Sequence, residues 1–467
     1  MSTPLPVGFR ISVDAGTKRM DDVTLFGGSP ARVLRLSAPG LAAWRALRSA
    51  EIALPTEAVL ARRLTDSGLA HPRPPALTRA PDVTVVVPVR DRAPMLARCL
   101  AAVGRGTAVV VVDDGSTDPA AVADVVAEHG ATLVRRANGG PAAARNTGLD
   151  HVSTELVAFL DSDCVPTFGW IEALAAHFAD PLVAAAAPRI VGVAPTTSAG
   201  RYAVTSGGLD MGEREARVVP GTRVGYVPTA ALVVRRVALT GADPFDPGLR
   251  YGEDVDLVWR LHEAGWRIRY DPAVQVRHHE PGTWPELLAR RFHYGTSAGP
   301  LARRHPTAMA PLVLRPGPTV AVFGLLTRRP AVAALGLAGA AVELGASMRR
   351  AGLPLTGVPA ATVTNVRQTW LGLARWGTQF AAPLLAAALL APRASAGRRV
   401  AAASLLFGPS LLTWATRRPA LDPVRYALGG MADDVAYGAG VIAGSVRART
   451  WVPVRPVVSW RQFRSRR

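Results

Sequence analysis

Cysteine is nearly absent: Cys99 and Cys164 are the only two in 467 residues. A disulfide framework and a zinc site built on thiolates are thereby excluded, and a cytosolic setting follows. Aromatic residues are also scarce, at 6%, and none forms a stacking platform beside the basic runs, which argues against a nucleic-acid partner. Acidic residues are outnumbered, 35 against 54 Lys and Arg. The resulting formal charge of +19 points to phosphate-bearing or anionic-lipid company. The amino terminus MSTPLPVGFRISVDAG lacks the basic start and apolar run of a secretory signal, so the protein is expected inside the cell.

Long apolar runs are in short supply as well. A membrane-spanning helix takes about 20 predominantly apolar residues. PAVAALGLAGAAVELGAS reaches only the lower end of that range and carries Glu343. FAAPLLAAALLA is shorter, and VAAASLLFGPSLLTWA is interrupted by Gly408 and Pro409. All three are flanked by Arg, a pattern that suits either a helical core or helices lying on the anionic cytoplasmic leaflet.

What is present divides the chain in three. Residues 1–75 combine the alternating ARVLRLS with the helical LAAWRALRSA, and the Pro-rich HPRPPALTRAP behind them reads as a linker. Residues 82–305 alternate apolar runs (VTVVVPV, AVVVVDD) with helical periods (RAPMLARCLAAV, PAAVADVVAEHG). This is the pattern of an α/β domain with a Rossmann-like, mostly parallel sheet whose ligands sit at the carboxyl ends of the strands. Residues 306–467 form a helical, apolar region.

The chemistry-bearing residues gather at the expected strand ends. AVVVVDDGSTD stops in Asp113 and Asp114, carboxylates placed to accept hydrogen bonds from a base or ribose. Asp118 or Thr117, followed by Pro119, suits the cap of the next helix. NGGPAAARNTG is a Gly-rich turn before a helix that carries Arg145, a guanidinium able to reach a base carbonyl or a phosphate. FLDSD sets Asp161 and Asp163 one residue apart. On extended backbone both point to the same side, so they repel unless a cation lies between them. Such an oxygen-rich pair suits Mg2+ or Mn2+ bridging to a nucleotide diphosphate, although an isolated DxD is also an ordinary solvated turn. GEDVDLVWRL puts Glu253 and Asp254 at a helix start. Acids there complement the helix dipole, and a carboxylate there also suits a general base for an acceptor hydroxyl. In VQVRHHEPGTW, either His278 or His279 offers an imidazole nitrogen to the same ion.

In this order, VTVVVPVRDR, VVDDGSTD, NGGPAAARNTG, FLDSD and GEDVDLVWRL resemble the motifs of the inverting GT-A glycosyltransferases of family 2. The resemblance implies that Pro88, Asp91, Asp113, Asp114, Asp161 and Arg145 line the nucleotide pocket, and that Asp163 and His278 hold the metal. It also implies that Asp254 is the base and that Glu253 shapes the acceptor site. The QxxRW of processive members is replaced here by ARRFHYGTSAG, so a Trp-anchored glucan channel is not implied. Arg290 or Arg291 would meet the departing diphosphate.

With GGSPARVLRLS near the start and MADDVAYGAGVIAGSVRART near the end, the whole chain resembles more narrowly the glycosyltransferases of mycofactocin biosynthesis. That implies glucose transfer from UDP-glucose to premycofactocin or a related peptide-derived acceptor, building a β-1,4-linked oligoglucoside. The first 75 residues look distantly like PqqD-type peptide-holding modules. A transferase acting on polyprenyl phosphate or another lipid or polysaccharide acceptor is the alternative, and the apolar carboxyl-terminal region keeps it open.

Overall fold

The computed structural model describes residues 3–193, 196–241, 243–309 and 312–459. The chain divides into two compact units, one of residues 1–193 with 207–279 and the other of residues 194–206 with 280–467.

The first unit is built on a nine-stranded mixed sheet: β1 (Val83–Val89), β2 (Ala108–Asp114), β3 (Thr132–Arg136), β4 (Leu156–Leu160), β5 (Cys164–Pro166), β6 (Val183–Val193), β7 (Ala216–Arg217), β8 (Ala231–Arg235) and β9 (Arg267–His279). The spatial order is β5-β9-β6-β8-β4-β1-β2-β3, with β7 added against β9. β1 runs parallel to both β2 and β4, and β3 runs parallel to β2. β8 is inserted antiparallel between β4 and β6, after which β9 runs parallel to β6. The carboxyl ends of β1, β2, β4 and β9 therefore emerge along one edge. Val85, Val86, Val87, Val111 and Phe159 in the central strands are fully buried. That explains why they read as continuous apolar runs rather than alternating ones, each such side chain contributing roughly 1.5–3 kcal/mol by burial.

Helices connect the parallel strands. Pro119–Glu128 is capped by Asp118, whose carboxylate accepts from Ala121 N at 3.1 Å, with Pro119 at the first helical position. Pro141–Leu149 lies so close to the sheet that a Cβ on Gly148 would come within 2.3 Å of Val86 Cγ1. This close approach seats Arg145, three residues earlier, deep in the fold.

The amino-terminal segment belongs to the same unit. It contains helices Ala38–Leu47 and Pro55–Asp66 and a small sheet of Lys18–Arg19, Thr24–Gly27 and Arg32–Arg35. HPRPPALTRAP, read as a linker, is partly strand: Ala70–Arg73 pairs antiparallel with Arg10–Val13. Two-stranded pairing leaves Pro72 on an edge, where its missing N–H is tolerated. Arg62 is buried and donates to both oxygens of buried Asp180, each at 2.7 Å, which ties Pro55–Asp66 to the loop before β6.

The second unit is helical: Ser198–Ser206, Trp284–Thr296, Ala298–Arg304, Pro316–Leu326, Pro330–Arg350, Val358–Leu390, Ala396–Arg417 and Pro423–Arg447. Val358–Leu390 is kinked at Ala381, just before Pro383. Contrary to the sequence reading, Gly408 and Pro409 do not interrupt their helix. Pro409 cannot bond the Leu405 carbonyl, and Thr378 Oγ1 of the neighbouring helix lies 3.2 Å from that oxygen. Gly408 makes room for the Trp370 ring.

Candidate active site

Three strand ends, those of β1, β2 and β4, and the start of the helix Glu253–Glu263 deliver the acids. Leaving β4, the chain turns at Asp161, whose N–H donates to Ala230 O and whose carbonyl accepts from Cys164 N. The backbone at Ser162–Asp163 is therefore a turn, not the extended strand on which both carboxylates were expected to point to one side, and each acid meets a partner of its own. The cation their repulsion demands is supplied twice, by a different arginine for each. Arg145 Nη2 donates to Asp161 Oδ1 at 2.8 Å, and Arg92 Nη1 donates to Asp163 Oδ2 at 2.9 Å. His278, at the end of β9, holds its Nε2 3.7 Å from the same Asp163 oxygen.

Arg145 also joins this pair to the third acidic cluster. Its Nη1 donates to Glu253 Oε1 at 2.7 Å, and its guanidinium carbon lies 5.6 Å from the centre of the Phe245 ring. Burial penalises the charge of Arg145, yet Asp161 and Glu253 more than offset that, and its pKa is raised. Asn146 pins the loop carrying Phe245, accepting from Phe245 N at 3.0 Å and donating to Asp243 Oδ1 at 3.0 Å. The helix Glu253–Glu263 therefore begins with its acids held against an arginine from another helix.

Asp254 is the most perturbed acid at this edge. Loss of water around it, then the neighbouring Glu253, push its carboxyl up to about 7. Arg145 and the hydrogen bond from Val255 N at 2.8 Å pull the other way. A carboxylate whose pKa sits near neutrality can take a proton from a hydroxyl and release it again. Asp256, two residues on, is spent on Arg260 within the helix.

The remaining sequence-selected residues fall into three places. Asp91 stands just past β1 with φ of 57°, next to Arg92 with φ of 62°. Two consecutive non-glycine residues in the left-handed region are costly, and side-chain bonds hold them there. Asp91 N donates to Ser116 Oγ and Asp91 Oδ1 accepts from Thr117 N, both at 2.7 Å. Asp113 and Asp114 are buried and shape loops: Asp113 accepts from Ser116 N, and Asp114 accepts from Gly139 N and Gly140 N. Pro88 is the penultimate residue of β1. Arg290 and Arg291 belong to the second unit. Arg291 Nε pairs with Asp433 at 2.7 Å, and Arg290 lies 3.9 Å from Glu280. Sequence reasoning missed Arg92, although the RDR at the end of VTVVVPVRDR was its signal, and it missed Phe245, which no motif marked.

Among the described residues no group of three or more His, Cys, Asp or Glu could by itself hold a metal. Asp163 and His278 nevertheless offer a carboxylate oxygen and an imidazole nitrogen facing each other. Ions that keep waters and bind substrate phosphates need only one or two protein ligands, so this donor set fits Mg2+ or Mn2+ in company with a diphosphate.

The family model described as Glycosyl transferase family 2 matches residues 84–239, which span β1 to β8. The pre-mycofactocin glycosyltransferase of Mycobacterium tuberculosis is 40% identical over 474 residues, covering 98% of this chain and 99% of the relative. The chain belongs to this family of glycosyltransferases. The family 2 match thus includes the first two acid clusters, with Glu253 and Asp254 on the helix just beyond it, and the similarity to the relative extends through both units. Glycosyltransferase AglE of Haloferax volcanii is 29% identical over 227 residues, 46% of this chain and 72% of the relative. Among solved structures, GalNAc-T7 with UDP, GalNAc and Mn2+ aligns at 14% identity and a TM-score of 0.34, covering 48% of this chain and 52% of that one; the likeness is too slight to bear on the site.

Proposed function

We propose that this glycosyltransferase moves glucose from UDP-glucose to premycofactocin or a related peptide-derived acceptor, with inversion at the sugar C1, and repeats the step to build a β-1,4-linked oligoglucoside. The observation that carries the mechanism is Asp254, a carboxyl raised to about 7 beside the Arg145-linked acids.

In this reading the acceptor hydroxyl oxygen forms a bond to C1 as its proton passes to Asp254, and the bond from C1 to the diphosphate oxygen breaks on the opposite face. UDP departs with the electron pair. Glu253, fixed by Arg145, shapes the acceptor side, and Arg145 holds Asp161 in place. Asp163 and His278 would hold Mg2+ or Mn2+, which supplies positive charge to the leaving diphosphate. Asp91, Asp113 and Asp114 set the loops against which the nucleotide rests, with Pro88 beneath them, and Arg290 or Arg291 is assigned to the diphosphate. The amino-terminal segment is assigned to peptide handling, and the enzyme to the cytoplasm or the cytoplasmic face of the membrane.

Mass spectrometry of a reaction with UDP-glucose, Mn2+ and the peptide-derived precursor tests this. Successive hexose additions, lost with Asp163→Ala, are expected. Transfer to polyprenyl phosphate in a parallel tube, with none to the precursor, would replace the acceptor assignment with the lipid one, which the exposed apolar residues of the second unit favour.

A further inference from the structure

The charge of this chain is not spread evenly. The segments forming the second unit, residues 194–206 and 280–467, carry 25 arginines and no lysine against six acids, whereas the first unit's 29 basic and 29 acidic residues cancel. The whole formal excess of +19 thus resides in the helical unit. Arginine itself is nearly even, 28 in the first unit and 25 in the second; the difference lies in the acids, which balance the basic residues of the first unit and leave those of the helical unit uncompensated.

The same unit leaves apolar surface uncovered. Pro316–Leu326 and Pro330–Arg350 form a hairpin whose seam is made of small residues. A Cβ on Gly336 would come within 2.2 Å of Ala321 N, and one on Gly324 within 2.3 Å of Ala333 N. With the seam on one side of Pro330–Arg350, a surface helix in water would turn polar residues outward. Here the outward stripe is Ala331, Ala334, Leu335, Ala338, Val342 and Ala346, all exposed and all apolar, with Leu335 at 71% and Val342 at 72%. On the shorter partner helix, Val320, Phe323 and Leu325 are exposed too.

Basic residues frame this stripe at both ends. Arg328 and Arg329 precede the helix, and Arg349 and Arg350 close it. All four are exposed. The Arg328 side chain also passes Gly397, bringing the hairpin turn to the start of Ala396–Arg417, where Arg398 and Arg399 are exposed. Glu343 is the one acid between Arg315 and Arg367.

We infer that the outer face of Pro330–Arg350 docks on an anionic lipid bilayer, with the helix lying in the plane of the surface. Its apolar stripe enters the headgroup boundary, and the arginines at either end reach lipid phosphates while their stems cover apolar surface. Pro330–Arg350 is the one helix among the described residues long and apolar enough to cross a membrane. Its hairpin partner has 11 residues, too few to span, and the charged turn between them would have to traverse the hydrocarbon. A second copy of this chain fits the face poorly, since it would bring the same positive charge. This inference stands on the second unit alone and does not depend on the glycosyl acceptor.

Flotation of the full-length protein with vesicles tests it, comparing phosphatidylcholine alone with phosphatidylcholine containing phosphatidylglycerol. Binding is expected only to the anionic vesicles and is expected to fall steeply with salt. Replacing Arg328, Arg329, Arg349 and Arg350 by Ala should weaken it about a hundredfold or more. Leu335→Ser with Val342→Ser, at sites too exposed to affect folding, should weaken it about tenfold or more. Both variants should keep wild-type turnover on a soluble acceptor. Equal binding to neutral vesicles, release by detergent but never by salt, unchanged binding by both variants, or a lipid-free dimer that Leu335→Ser with Val342→Ser disperses would each overturn it.

Discussion

Asp254 is where pH acts most directly on this protein. Its carboxyl lies at about 7 in the fold against an ordinary value of 3.8, mainly because burial removes its water. A raised acid is stabilising in its protonated form, so its contribution is complete below 3.8 and is lost as pH climbs to about 7. Activity runs the opposite way, because only the deprotonated group is a base. Turnover should therefore rise through an apparent pKa of about 7 and level off above it. Asp254→Asn should cut kcat by about 10²- to 10⁴-fold and remove that rising limb, while Tm above pH 7 stays level or increases. A drop in Tm with retained activity would reassign the residue to structure.

Arg92 provides a second residue-scale test. It occupies the Asp163 oxygen that faces His278, yet it is more than half exposed, so it competes with any cation for that oxygen. Arg92→Ala should tighten Mn2+ binding to the nucleotide-free protein by up to about fivefold, the scale of an exposed ion pair, as read by the paramagnetic signal of free Mn2+. The acids themselves were legible, since two carboxylates one residue apart at a strand end announce an unmet cation. Their partners were not. Arg92 and Asp163 are 71 residues apart and Arg145 and Glu253 are 108 apart, distances over which only the folded sheet decides who meets whom.

At the scale of elements, close contacts between backbones decide the helical unit. Gly336 and Gly324 let the hairpin helices touch, and each Cβ added there would meet main chain, which cannot step aside. Gly336→Val should therefore destabilise the protein by about 1–3 kcal/mol or more through overpacking, seen as a lower urea midpoint. The parallel strands were legible because burial on both faces makes them uninterrupted Val-rich runs. The inserted antiparallel β8 was not, since ALVVR reads like any buried strand and carries no mark of direction. Pro409 misled for a local reason. Propensity ends a helix at proline, whereas here Thr378, 31 residues earlier, stands at the carbonyl that proline leaves unbonded.

Across the whole molecule, a charge-balanced unit holds the acidic site and an acid-poor helical unit, its arginines uncompensated, carries the apolar face. The similarity to the Mycobacterium tuberculosis relative runs through both, at 98% of the chain, so the helical unit is shared with that relative. The division of labour explains why the net charge was readable at once but its meaning was not: a total of +19 says nothing about which half holds it.

The central claim is single displacement at the sugar by a base on Asp254, and the anomeric configuration of the first product tests it most directly. Proton NMR of the monoglucosylated acceptor made from UDP-α-glucose should show a β linkage, with no product from Asp254→Asn. An α linkage would contradict inversion, and with it the assignment of Asp254 as the base opposite the leaving diphosphate.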